Sequence, residues 1–128
     1  MVIDHSSSMK FDNKLAFVLA SIEFCLSQLE EHHRFSLILF NHQVTQLTNG
    51  LLPMTPENKE YVLSKLKEVV ATGSTNIGDA LITALDVLNS RTDSTIQASV
   101  MLFSDGLSNI GLSSGEIQNV SRVLPNII

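Results

Sequence analysis

Phe35 to Phe40 is apolar at five of its six positions, and this run constrains the fold more than any other feature. It is too short for a helix. A strand can be apolar at successive positions only when both of its faces are covered, because its side chains alternate between them. The chain must therefore build a sheet with other elements packed on both sides. Val100 to Phe103 closes a second stretch of this kind, Ile96 to Phe103, and Met1-Val2-Ile3 reads as the last residues of a third buried strand.

Between these strands the periodicity changes. From Asp12 to Glu31, Leu15, Val18, Leu19, Ile22, Leu26 and Leu29 recur at helical spacing, with Asp12 or Asn13 able to cap the start. Thr55-Pro56 sets a hydroxyl at a cap and proline at the first helical position. Val62, Leu63, Leu66, Val69 and Val70 follow as the buried stripe, with Gly73 as the stop. A third helix is predicted from about Asn76 to Asn89 on Ile77, Leu81, Ala84, Leu85 and Leu88. Ser113 and Glu116 have capping-box spacing for a fourth helix, carrying Ile117, Val120 and Leu124, and Ile127-Ile128 reads as a further strand start. Val44 to Thr48 is more polar and reads as an edge strand after a tight turn near Asn41-His42. Strands alternating with helices predict an α/β fold. It is a three-layer, Rossmann-like sandwich: a mostly parallel central sheet, one antiparallel edge strand, and helices on both faces.

Composition limits what such a fold can do. Eight Lys and Arg against thirteen Asp and Glu give a net charge of −5, which argues against a nucleic-acid surface. The apolar runs are far shorter than a membrane span, so no membrane insertion is expected. Cys25 is the single cysteine and cannot form an internal disulfide; with no basic, hydrophobic leader at the start, a cytosolic setting is favoured.

In open α/β sheets the site lies beyond the C-terminal ends of the strands. Three loops qualify: Asp4-His5-Ser6-Ser7-Ser8, Gly73-Ser74-Thr75-Asn76, and Ser104-Asp105-Gly106. Together they hold two carboxylates and several hydroxyls. Asp4, Ser6 and Ser8 alternate and can point the same way. Hard oxygen donors of this kind suit Mg²⁺, Mn²⁺ or Ca²⁺ rather than zinc. Neutral hydroxyls leave such a cation electrophilic and able to take an outside carboxylate.

Asp-x-Ser-x-Ser after a first strand, a threonine in a Gly-Ser-Thr loop, and Ser-Asp-Gly after a later strand resemble a von Willebrand factor type A domain and its metal-ion-dependent adhesion site. The resemblance runs over nearly the whole chain. It implies hydroxyl ligands from Ser6, Ser8 and Thr75, with Asp4 and Asp105 acting mainly through metal-bound waters. It implies a protein partner whose Asp or Glu completes the coordination, and His5, at the variable position of the first loop, would flank that partner. Family domains usually carry six strands, with two more strands and a final helix after the point where this chain ends. Residues 1–128 therefore resemble a single but incomplete type A domain, and the resemblance implies truncation at both ends.

Each motif also has a plainer reading. The Asp4 loop could cap the following helix, Thr75 could cap the next, and Asp105-Gly106 could be an ordinary turn. No Gly-x-Ser-x-Gly elbow marks a nucleophilic serine, and Gly73 to Gly78 lacks the Lys-Ser/Thr of a phosphate loop. The expectation is a cation-dependent protein-binding module that is not an enzyme. The alternatives are a Mg²⁺-dependent phosphoryl-transfer enzyme on a similar sheet, or a structural domain with a silent metal site.

Overall fold

The structure is a computed structural model and describes residues 1–105. The helix predicted on Ser113 to Leu124 and the strand start at Ile127-Ile128 lie outside the described residues. The elements run in the order β1 (Val2–Asp4), a 3-10 segment (Ser7–Asn13), α1 (Lys14–Gln28), β2 (Arg34–Phe35), β3 (Ile38–Phe40), β4 (Val44–Gln46), β5 (Leu52–Pro53), α2 (Pro56–Leu66), α3 (Ile77–Asn89) and β6 (Leu102–Phe103).

The main sheet has the order β4-β3-β1-β6. β1 is parallel to both β3 and β6, and β4 runs antiparallel at one edge. Alternation along the central strands sorts their side chains into two cores. Ile3 and Leu39 pack on one face with Ile22 and Leu26 of α1 and Val62 and Leu66 of α2. Val2, Ile38 and Phe40 pack on the other with Ala80, Ala84 and Val87 of α3. Both faces are thus covered, as the continuous apolar run requires, and the layering is that of the predicted three-layer sandwich.

Four local expectations are corrected. The run Phe35 to Phe40 is split into β2 and β3. The Thr48 hydroxyl accepts the Leu37 N–H at 3.0 Å and lies 3.0 Å from the Ser36 hydroxyl. A side chain replaces the ladder at that point, and β2 turns to pair antiparallel with β5. Helix α2 ends at Leu66 rather than at Gly73. Its predicted continuation is pulled toward the loop after β1: the Thr72 N–H donates to the His5 carbonyl at 2.7 Å, and the His5 ring bonds the Val70 carbonyl at 2.9 Å. Tertiary hydrogen bonds win there over the helical pattern. α1 starts at Lys14 behind Asp12 and Asn13, both with left-handed φ (55° and 56°), and Asn13 makes no side-chain cap. Finally, only Leu102 and Phe103 of the stretch Ile96 to Phe103 form strand, and Ile96, Met101 and Leu102 are exposed. β6 is an outer strand with β1 as its one neighbour among the described residues, so its side chains are covered on fewer sides.

Candidate metal and partner site

The three parallel strands end at the same rim of the sheet. Asp4 lies opposite Phe40 and Ile3 opposite Phe103, so the residues following these strands are brought side by side. The first loop continues the pairing, with the His5 N–H donating to the Phe40 carbonyl at 2.9 Å.

Asp4 is fully buried, and both of its carboxylate oxygens are engaged. One accepts the Ser6 N–H at 2.9 Å and the other accepts the Ser104 hydroxyl at 2.7 Å. A buried carboxylate is tolerated only with such partners. Ser6 sits at the start of the 3-10 segment but its hydroxyl makes no cap; it lies instead 3.2 Å from the Ser8 hydroxyl. The plainer reading of this loop as a capping device therefore does not hold for Ser6.

The second loop is tied onto the first. The Ser7 N–H donates to the Gly73 carbonyl at 2.9 Å. Gly73 has φ +80°, a backbone conformation that favours glycine, and a Cβ there would also run into the His42 ring of the β3–β4 turn. Thr75 is 1% exposed, yet its hydroxyl has no hydrogen-bond partner among the described residues. It does not cap α3 either: Asn76 does, its side chain accepting the Asp79 N–H at 3.3 Å. The third loop contributes Ser104, on Asp4, and Asp105, whose largely buried carboxylate lies 3.2 Å from Lys14 Nζ. Gly106 is outside the described residues.

The rim thus gathers Asp4, Ser6, Ser8 and Ser104 by direct bonds, with Asp105 next in chain and the Thr75 loop fastened alongside. Among the described residues no group of three or more His, Cys, Asp or Glu side chains converges. The donors are hydroxyls with two carboxylates, the set expected for a hard cation. His5 Nδ1 lies 2.9 Å from the Val70 carbonyl, so the ring fastens the α2–α3 loop to the first loop.

Two further residues shape the rim, and the sequence marks neither as a site residue. Asn41 is buried; its amide donates to the Thr72 carbonyl at 3.0 Å, its side-chain oxygen accepts the Gln43 N–H at 2.9 Å, and its own carbonyl accepts the Asn76 N–H at 2.6 Å. The rule that drew attention to Asp4, a polar residue directly after a buried strand, applies equally to Asn41. The other is Lys14, the first residue of α1, whose ammonium lies 3.2 Å from the Asp105 carboxylate.

Comparison with known proteins agrees with this architecture. Residues 1–108 match the profile of the von Willebrand factor type A domain, and the chain belongs to that family. Domains of this family mediate protein–protein interaction. The bovine inter-alpha-trypsin inhibitor heavy chain H3 is 30% identical over 120 residues, which cover 90% of this chain and 13% of that protein. This chain therefore spans only a small part of the curated relatives it matches. Proximal thread matrix protein 1 of the mussel byssus superposes with a TM-score of 0.69 at 22% identity, covering 97% of this chain and 31% of that one. A second structure of that protein, with a zinc-occupied metal-ion-dependent adhesion site, gives a TM-score of 0.64 at 20% identity over 94% of this chain and 34% of that one. The inter-alpha-trypsin inhibitor heavy chains are secreted, extracellular proteins, which overturns the preference for a cytosolic setting. A lone cysteine in a short segment is compatible with either compartment.

Proposed function

We propose that this domain binds a divalent cation at the rim formed by Asp4, Ser6, Ser8, Thr75 and Asp105, and through it engages an acidic residue of a protein partner. The observation that carries the reading is the Thr75 hydroxyl, buried and without a partner among the described residues. A loop with a purely structural role satisfies its buried hydroxyls with protein groups; an unpaired one beside two carboxylate-bearing loops fits a ligand for a hard cation. The rest of the donor set fits as well, since hydroxyl and carboxylate oxygens suit Mg²⁺ or Mn²⁺. Zinc in the mussel protein's site makes zinc a further cation to compare.

Ser6, Ser8 and Thr75 would supply neutral oxygens, and Asp4 and Asp105 the compensating charge. A divalent cation held this way supplies an electrophilic position for a carboxylate from outside. Asp4, held by the Ser6 N–H and the Ser104 hydroxyl, orients the first loop against β6. Asn41 and the Ser7–Gly73 bond fix the second loop at the depth of the first. His5 anchors the α2–α3 loop to the first loop through the bond between its Nδ1 and the Val70 carbonyl. The module has no chemistry of its own in this reading. Phosphoryl transfer is not favoured by any contact of Asp4, whose neighbour His5 is turned to a backbone carbonyl rather than to a reacting group.

The test is capture of partners from a protein extract by immobilised domain, with Mg²⁺ or with EDTA. Capture by the wild type is expected to need Mg²⁺, to be lost in Thr75→Ala, and to be lost when the extract's carboxylates are amidated with carbodiimide and an amine. Partners that bind wild type and Thr75→Ala equally, unaffected by EDTA, would move recognition to another face.

A further inference from the structure

Lys14 stands in an electrostatically poor place. It is the first residue of α1, at the positive end of that helix's dipole, where carboxylates stabilise and cations do not. The first turn holds no acidic residue to compensate it. The chain reaches this position through two successive non-glycine residues with left-handed φ, Asp12 and Asn13, and without a side-chain cap. Each of these features costs local stability. Their joint effect is to deliver Lys14 Nζ to the carboxylate of Asp105, 3.2 Å away, across a sequence separation of 91 residues. The Lys14 side chain is about one-third exposed and that of Asp105 only 6%, so the pair belongs to the rim rather than to open solvent.

We infer that Lys14 is an internal counter-cation of this site, and that its contact with Asp105 opposes loading of a divalent cation. The inference rests on the metal-binding reading above and adds its regulation. Without a divalent cation, two carboxylates on adjacent strand ends repel each other, and the Lys14 ammonium offsets part of that charge. With one, the same ammonium repels the incoming cation and competes for Asp105. Lys14 thus trades affinity for a stable metal-free fold. It is a positioning and charge-setting residue, not a ligand.

The test is calorimetric titration of MnCl₂ into wild type, Lys14→Met, Lys14→Gln and Lys14→Arg, with metal-free melting temperatures for all four. Removing a unit charge a few ångströms from a divalent ion in a solvated site is expected to tighten Mn²⁺ binding by about tenfold in Lys14→Met and Lys14→Gln, with high salt narrowing the gap. Both variants are expected to melt lower than wild type without metal, whereas Lys14→Arg keeps the charge and stays close to wild type. A measurement on the unaltered protein runs in parallel: acylation of Lys14 by acetic anhydride, followed by mass spectrometry, is expected to accelerate when Mg²⁺ is added. Equal or weaker Mn²⁺ binding in both neutral variants, or unchanged Lys14 acylation with Mg²⁺, overturns the inference while leaving the metal site standing. Absence of Mn²⁺ binding in wild type and all variants overturns both readings.

Discussion

The Ser104 hydroxyl donates to the Asp4 carboxylate at 2.7 Å, joining residues one hundred positions apart at the ends of two parallel strands. That bond makes one rim of β1 and β6. It also changes what a substitution at the rim does, since Asp4 is already satisfied by protein groups before any cation arrives.

Ser104→Ala removes the hydroxyl and leaves one oxygen of a fully buried carboxylate short of a donor. Hydrogen bonds to charged groups contribute about 1.5–3 kcal/mol, so thermal or urea unfolding should show a loss of that size. The loss is expected to be smaller in saturating Mg²⁺, because the cation's charge favours the same carboxylate.

Asn41→Ala tests the role of a residue that touches no proposed ligand. It deletes the bonds to the Thr72 carbonyl and the Gln43 N–H and frees the stretch from Thr72 to Asn76. Outer-shell groups that orient ligands are typically worth about 10–100-fold in metal affinity. Mn²⁺ titration is expected to show a weakening in that range, with faster amide hydrogen exchange confined to Thr72–Asn76. An unchanged affinity with a general loss of protection would make Asn41 a core residue and nothing more.

The layered fold was legible because it follows from local patterns. Val2, Ile3, Ile38, Leu39 and Phe40 are apolar in sequence, and alternation alone assigns each to a face. The Thr55 cap was read correctly, its hydroxyl accepting the Asn58 N–H. What failed were boundaries set by partners distant in sequence. Nothing near Ser36 announces that the Thr48 hydroxyl will break the strand there. Nothing near Val69 and Val70 announces that His5 will hold the chain away from a helix. At the site, the Asp4 and Asp105 loops could be named from their places after strands and the Gly73–Asn76 loop from its place before a helix, whereas Lys14 could not, because its meaning lies in a contact 91 residues away.

The central claim is that the unpaired Thr75 hydroxyl is kept for a cation, and paired melting curves of wild type and Thr75→Val test it most directly. Valine keeps the shape and removes the hydroxyl. A buried, unsatisfied polar group costs about 1–3 kcal/mol, so Thr75→Val is expected to melt higher than wild type in EDTA. Mg²⁺ or Mn²⁺ at a hundredfold excess over the dissociation constant should stabilise wild type by about 2.7 kcal/mol, with reversal by EDTA, and should leave Thr75→Val nearly unmoved. A wild-type curve that does not shift across millimolar Mg²⁺ and Mn²⁺, or a Thr75→Val curve that shifts as much as wild type, would contradict the account.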